Sequence, residues 1–124
     1  MTKPEKGQAA PPAIEIARHA AEAMLSRKAE DVLILDLRSL SSATDFFVIG
    51  SGETDVQVRA IADAVVDGLE GRGVRISHVE GYQERRWVLL DCIDVVIHVF
   101  LGDIREFYGL ERLWGDAAIE KVED

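Results

Sequence analysis

Apolar residues recur at three- and four-residue spacing in three segments of the chain, and this spacing predicts amphipathic helices. The first follows Pro11 and Pro12, and its apolar positions are Ile14, Ala17, Ala21, Met24 and Leu25. The second begins at Thr54 and Gln57, which have capping-box spacing, and its apolar face is Val58, Ile61, Ala62, Val65 and Leu69. The glycines at 71 and 73 predict its end.

The third helical segment follows Asp103, a residue type that caps helix N-termini well. Its shared apolar face consists of Ile104, Phe107, Leu110 and Trp114. Gly109 lies in the middle of this segment, where a glycine weakens a helix by about 1 kcal/mol. A kink or break is therefore predicted there.

Short apolar runs between these helices predict five strands, at 32–37, 45–50, 74–79, 87–92 and 95–101. Only Ile93 and Asp94 separate the last two, which predicts an antiparallel hairpin with a tight turn. The order α-β-β-α-β-β-β-α predicts one α/β domain, a mixed sheet of about five strands with helices packed on it.

Both faces of the hairpin carry apolar side chains. Side chains alternate along a strand, so one face holds Trp87, Leu89 and Asp91 and the other holds Val88, Leu90 and Cys92. One face must be turned away from the core unless both are covered.

Aromatic and arginine residues also project from the closing segment, where Arg105, Tyr108 and Arg112 follow helical spacing. Together with Trp87, these residue types are typical of an interface hot spot. The alternative, which this pattern leaves open, is that Trp87 and Trp114 are core aromatics.

Length and charge narrow the class of protein. The chain of 124 residues is one domain's worth, with residues 1–13 expected to be a flexible leader, 14–116 the domain and 117–124 a tail. A formal charge of -9, from 14 Lys and Arg against 23 Asp and Glu, disfavours direct nucleic-acid contact. The same charge favours encounter with a basic protein.

Cysteine content and hydropathy indicate a compartment. Cys92 is the single cysteine, and the first residues lack the apolar region of a signal peptide. The apolar runs are of strand length, so no membrane span is expected. A reducing cytoplasm is the expected location.

Two segments of the chain resemble parts of enzyme sites. The glycine-rich sequence GSGETD at 50–55 joins a strand to a helix, where phosphates often bind, but it lacks the Lys and the third Gly of nucleotide-binding loops. A capping turn is preferred, with nucleotide binding as the alternative. Asp91 and Asp94 flank the hairpin turn, and no Asp-x-Asp exists to hold two metal ions.

Histidine and cysteine give no clearer signal. His78 and Glu80 share a strand face and His98 lies on another strand, without the spacing of a zinc motif. Cys92 lies in an apolar strand, where cysteine is usually inert. The prediction is a binding module, with no catalytic residues, cofactor or metal.

Three stretches of the chain resemble the Iojap-like ribosomal silencing factor family. They are AEDVLILDLRSLSSATDFFVIGSGETDVQVRAIAD at 29–63, VEGYQERRWVLLDCIDVVIHVF at 79–100 and REFYGLERLWGD at 105–116. The resemblance implies a nucleotidyltransferase-like fold without its catalytic carboxylates. It further implies binding to the large ribosomal subunit through ribosomal protein L-fourteen, so that the subunits cannot join and translation is repressed, notably under starvation. Family members are often homodimers, which implies a homodimer when the protein is free.

The resemblance also assigns the partner-binding residues, which fall on Trp87, Leu89, Arg105, Tyr108, Leu110 and Arg112. His98 and Trp114 match family positions too, either for packing or for the interface. Two positions depart from the family, since Ile93 stands where Gly is usual and Gly109 where an acidic residue is common. The first bears on the turn geometry and the second on one interface contact.

Overall fold

The computed structural model describes residues 11–123, apart from the side chain of Phe107. Most of the expected leader therefore lies outside the described residues. The elements in chain order are α1 (Ala13–Leu25), β1 (Glu30–Asp36), β2 (Phe46–Gly52), α2 (Asp55–Glu70), β3 (His78–Glu80), β4 (Trp87–Asp91), β5 (Val95–Leu101), α3 (Gly102–Tyr108), α4 (Leu110–Leu113) and β6 (Ala118–Lys121).

The strands form one mixed sheet in the order β3-β4-β5-β2-β1-β6. Strands β2 and β5 are parallel, and the other neighbours are antiparallel. The predicted mixed α/β fold and the β4–β5 hairpin are confirmed. The expected strand count of about five is one short, because the sheet has six strands.

The missing strand is β6, which lies in the segment expected to be a tail. All four of its residues are exposed, so the sequence carries no buried alternation to reveal it. Backbone pairing with β1 defines the strand. Arg18 of α1 also donates to both carboxylate oxygens of Glu120, at 2.6 and 2.9 Å.

The predicted strand at 74–79 is shorter and later, at His78–Glu80. Val74 bonds to the end of α2 instead, where its N–H donates to the Leu69 carbonyl at 3.0 Å. The alternating pattern at this position therefore includes a helix-terminating segment as well as a strand.

The two faces of the sheet are covered unequally. Helices α1 and α2 pack on one face and bury the main core, which includes Ile34, Val48, Val88, Leu90 and Ile97. The opposite face holds a smaller cluster centred on Leu35, Leu37, Ile49, Phe100 and Leu110. Among residues 11–123, the helices near that cluster are the short α3 and α4, so part of this face is open.

Two local predictions from sequence are confirmed. The Thr54 side chain accepts a hydrogen bond from the Gln57 backbone N–H at 3.1 Å, which caps α2. The closing helix breaks at Gly109, whose φ of +58° lies in the left-handed region that glycine adopts without steric cost. The closing segment therefore forms two helices, α3 and α4, and not one.

The hairpin turn is strained at Ile93. Its φ is +73°, and the Asp94 N–H donates to the Cys92 carbonyl at 2.9 Å, which is the bonding of a γ-turn. Asp91 supports the turn by accepting a hydrogen bond from the Ile93 N–H at 2.7 Å. A β-branched residue is disfavoured at positive φ, so the departure from glycine noted above places strain at this turn.

Ile93→Gly is expected to raise the free energy of unfolding by about 1 kcal/mol. Glycine relieves about 1–2 kcal/mol of left-handed strain and loses about 0.5–1 kcal/mol through its larger unfolded-state entropy. The Ile93 side chain is 62% exposed, so little apolar burial is lost. Urea denaturation measures the change. Ile93→Ala is the control, and an equal gain there would show that removal of an exposed side chain, and not φ, causes the effect.

Candidate functional site

Six aromatic rings form a continuous series on the open face of the sheet, and we call them the aromatic ladder. In spatial order they are Trp114, Phe47, His98, Phe100, Trp87 and Tyr108. Successive ring centroids lie between 4.5 and 6.2 Å apart, the range of favourable aromatic pairs. Strands β2, β4 and β5 supply four of them, helix α3 supplies Tyr108, and Trp114 follows the end of α4.

Trp87 connects the buried and the exposed parts of the ladder. Its ring stacks on Phe100 at 4.9 Å and contacts Tyr108 at 4.7 Å. Its Nε1–H donates to Nδ1 of His98 at 3.0 Å. The β4–β5 register, which sets Trp87 opposite Phe100 and Leu89 opposite His98, produces these contacts. The indole orientation is therefore fixed by the sheet.

His98 is a core residue of the ladder, with 3% of its surface exposed. Burial lowers the pKa of His98 to about 3 from its ordinary 6.5, so the ring is neutral. Because Nδ1 accepts from Trp87, the proton is assigned to Nε2. Nε2 is buried and has no hydrogen-bond partner among residues 11–123. His98 positions Trp87 and offers almost no surface of its own.

Stability is expected to fall between pH 7 and pH 5.5 by about 1 kcal/mol more in the wild type than in His98→Phe. The unfolded chain binds a proton at His98 below pH 6.5, whereas the folded protein resists protonation until about pH 3. The stability that the neutral His98 contributes is therefore fully present above pH 6.5. It is lost as the pH falls from 6.5 toward 3. Urea titrations at several pH values measure it. If the free energy of unfolding changed with pH in the same way in both proteins, the burial of a neutral imidazole would be contradicted.

The predicted partner-binding residues divide by exposure. Tyr108 is 51% exposed, Trp87 and Leu89 are partly exposed, and Arg112 lies at the surface. Arg105 is only 8% exposed, and its guanidinium donates to Ser51 Oγ at 2.8 Å and pairs with Glu111 at 3.3 Å. Leu110 is 9% exposed and belongs to the core of this face.

Arg105 and Leu110 can therefore support a docking surface but present little of it. Arg112 lies beside Arg105 in a polar pocket on the other side of α3, away from the Trp87 and Tyr108 rings. The assignment of all six residues to partner binding stays a prediction.

Phe47 belongs to the open face and was missed in the sequence. It contacts both His98 and Trp114, and it lines an apolar pocket of about 420 Å³ with Leu89 and Ile93. Phe46 points to the opposite, helix-covered face. Strand alternation separates the two phenylalanines, but nothing in the sequence says which face stays open.

The glycine-rich segment at 50–55 has a packing role. Gly50, Ser51 and Gly52 lie within strand β2, so only Glu53 and Thr54 form the connection to α2. A side chain at Gly50 would approach Met24 Sδ to 2.6 Å, and one at Gly52 would approach the Val58 backbone N to 3.1 Å. These glycines allow α1 and α2 to pack closely on the sheet.

The remaining chemical candidates are also accounted for. His78 bonds to Glu80 at 2.6 Å, and within residues 11–123 no group of three His, Cys, Asp or Glu is placed to hold a metal ion. Burial, followed by the nearby Asp91 carboxylate, raises the pKa of Cys92 to about 11. No helix in the described part of the chain is long and apolar enough to cross a membrane.

Comparison with known proteins gives a consistent family. Residues 10–124 match the family model described as "Ribosomal silencing factor during starvation". The chain is 44% identical over 108 residues to Ribosomal silencing factor RsfS of Bacillus subtilis (strain 168), covering 87% of this chain and 92% of that protein. Protein Iojap, chloroplastic, of Zea mays is 34% identical over 105 residues, which cover 85% of this chain and 44% of that protein.

A solved structure shares the fold. The crystal structure of protein CV0518 from Chromobacterium violaceum superposes with a TM-score of 0.83 at 34% sequence identity. The match covers 92% of this chain and 95% of that one. The chain therefore shares its overall fold with that structure.

Proposed function

Since the chain belongs to the family of ribosomal silencing factors, we propose that it binds the large ribosomal subunit through ribosomal protein L-fourteen and prevents the two subunits from joining. The family's role is regulatory, acting on translation at the ribosome. Steric exclusion is the proposed mechanism, because a domain bound where the small subunit must dock blocks it without any chemical step. The same role would place the chain in the cytoplasm.

The aromatic ladder is the observation that carries this proposal. A partly exposed Trp and Tyr beside Leu89 and Phe47, on a sheet face that two helices leave uncovered, have the composition of a binding hot spot. Strand register fixes the positions of Trp87, Leu89 and Phe47, so little side-chain entropy is lost at these residues on docking. A rigid aromatic surface of this kind suits a protein partner.

Net charge supports the choice of a basic protein. A chain of charge -9 is repelled by ribosomal RNA and attracted to a cationic protein surface, which raises the rate of encounter. Little direct nucleic-acid contact is therefore proposed. We also propose that the free protein forms a homodimer through the same face, since an apolar patch of this kind favours self-association.

Co-sedimentation with separated ribosomal subunits tests the function, followed by a subunit-joining assay on sucrose gradients. The expected result is that the protein pellets with large subunits and not with small subunits. Incubating large subunits with the protein before small subunits are added should reduce the fraction of subunits that join. Adding the protein after joining should have less effect, because the surface is then occupied. Pelleting without any effect on joining would contradict steric exclusion. Pelleting with neither subunit would remove the proposal, and a thermal shift with nucleotide and Mg²⁺ would then test the alternative at Gly50–Asp55.

A further inference from the structure

A pocket of about 570 Å³ lies beside the exposed end of the aromatic ladder, between the β3–β4 loop and the start of α3. Trp87 and Tyr108 form its aromatic wall, and Gly81 and Ile104 complete its apolar lining. Its charged lining residues are Glu84, Arg86 and Asp103. We infer that this pocket receives one cationic side chain, a Lys or Arg, of the protein partner. The inference rests on the proposed function and names the partner's chemistry.

Aromatic rings beside carboxylates favour a cation. The face of an indole or phenol ring carries negative potential, and Trp binds cations best among the aromatic residues. Trp87 and Tyr108 both line the pocket, with their ring centroids 4.7 Å apart and their planes tilted by 46°. Two carboxylates against one guanidinium leave the lining net negative.

The length of the guest side chain also fits. Lys and Arg carry three- to four-carbon stems that pack on apolar surface while the charged group stays polar. Ile104 and the ring edges can receive the stem, and Glu84 and Asp103, both exposed, can receive the charged end. An anionic side chain could pair only with Arg86 and would meet both carboxylates.

The loop that carries Glu84 and Arg86 is held in place before any partner arrives. The Tyr82 hydroxyl donates to Asp63 of α2 at 2.7 Å. The Arg85 N–H donates to the Gly81 carbonyl at 3.0 Å, and the Arg86 carbonyl accepts from the Leu101 N–H at 2.9 Å. Because the loop backbone is already held, binding costs less loop ordering, which favours residence as well as encounter.

Charge-neutral variants with matched controls test the inference, with the dissociation constant for large subunits measured at one salt concentration. Glu84→Gln combined with Asp103→Asn is expected to weaken binding about tenfold. Arg86→Gln is expected to strengthen binding, because it removes the one like charge in the lining. Asp67→Asn combined with Glu70→Gln, and separately Arg75→Gln, make the same charge changes at exposed positions outside the pocket and should shift binding less than twofold. Circular dichroism melting checks that each variant folds.

The reverse pattern would overturn the inference. Weaker binding of Arg86→Gln with unchanged binding of the carboxylate variant would identify an anionic guest. Equal effects of pocket and control variants would show that net charge alone matters. In either case large-subunit binding by the wild type leaves the proposed function standing.

A probe that needs no ribosome separates the two proposals. N-acetyl-arginine amide is titrated into Trp114→Phe, in which Trp87 is the single tryptophan. The expected result is a saturable change in Trp87 fluorescence. The uncharged N-acetyl-citrulline amide should not produce this change. Glu84→Gln combined with Asp103→Asn should reduce it at least fivefold. Saturation without any ribosome binding would keep the pocket and remove the proposed function. Equal responses to both amides would remove the cation specificity.

Discussion

Tyr108→Ala should weaken binding to the large ribosomal subunit by about thirtyfold or more, which corresponds to about 2 kcal/mol. Tyr108 is 51% exposed at the end of the aromatic ladder, and its ring contacts Trp87 at 4.7 Å. A partner that covers this position buries the ring and excludes water from it. Competition binding with labelled protein and purified large subunits measures the change.

Stability measurements separate a lost contact from a damaged fold. Tyr108 is half exposed, so Tyr108→Ala should lower the urea midpoint less than Trp87→Ala does. Val56→Ala on α2 is the control, since Val56 is 68% exposed and α2 lies on the helix-covered face. Unchanged affinity of Tyr108→Ala would remove the ladder from the interface.

Trp87→Ala is expected to lose at least as much affinity, but through two causes. The indole stacks on Phe100 and bonds to His98, so its removal opens a cavity and leaves Nδ1 of His98 without its donor. Trp87→Phe keeps most of the packing and removes the hydrogen bond. Tyr108 is therefore the cleaner test of binding, and Trp87 tests how far the core and the docking surface depend on each other.

Local signals in the sequence predicted the elements that depend on local structure. The Thr54 cap and the periodic face of α2 determine that helix from neighbouring residues, and the structure has both. Strand β6 could not be found in this way, because its formation depends on pairing with β1, almost ninety residues earlier. Exposed residues in β6 give no pattern to detect.

The candidate site shows the same limit in a different form. Helical spacing from Arg105 through Tyr108 to Arg112 suggested one shared surface, and this assumes a continuous helix. Gly109 breaks that helix, so the angular phase starts again in α4. Arg105 lies before the break, and its guanidinium is buried against Ser51, so only Tyr108 of the three lies beside Trp87. Glycine predicted the break, but the direction of the chain after it depends on tertiary packing.

Gly81→Ala is expected to lower the free energy of unfolding by about 3 kcal/mol or more, a large effect for one methyl group. Gly81 has a φ of +76°, where an L-residue costs about 1–2 kcal/mol. An added Cβ would also overlap the carbonyl oxygen of Trp87, a backbone atom that cannot rotate away. Relieving the overlap requires the β3–β4 loop or the start of β4 to shift, at a further cost of about 1–3 kcal/mol. Urea denaturation with the slope held common to both proteins measures the sum.

Gly73→Ala is a close control because Gly73 has a φ of +78° and no heavy atom within 4 Å of an added Cβ. It should cost only the backbone strain, about 1 kcal/mol after the unfolded-state gain. The difference between the two variants then isolates the contact between the loop and Trp87. Because that contact places Glu84 and Arg86 beside the indole, Gly81→Ala should also weaken large-subunit binding under conditions where the variant remains folded, whereas Gly73→Ala should not. Equal stability losses in the two variants would mean that the loop backbone at Gly81 is not in tight contact with the Trp87 carbonyl. The docking surface would then be less rigid than this contact implies.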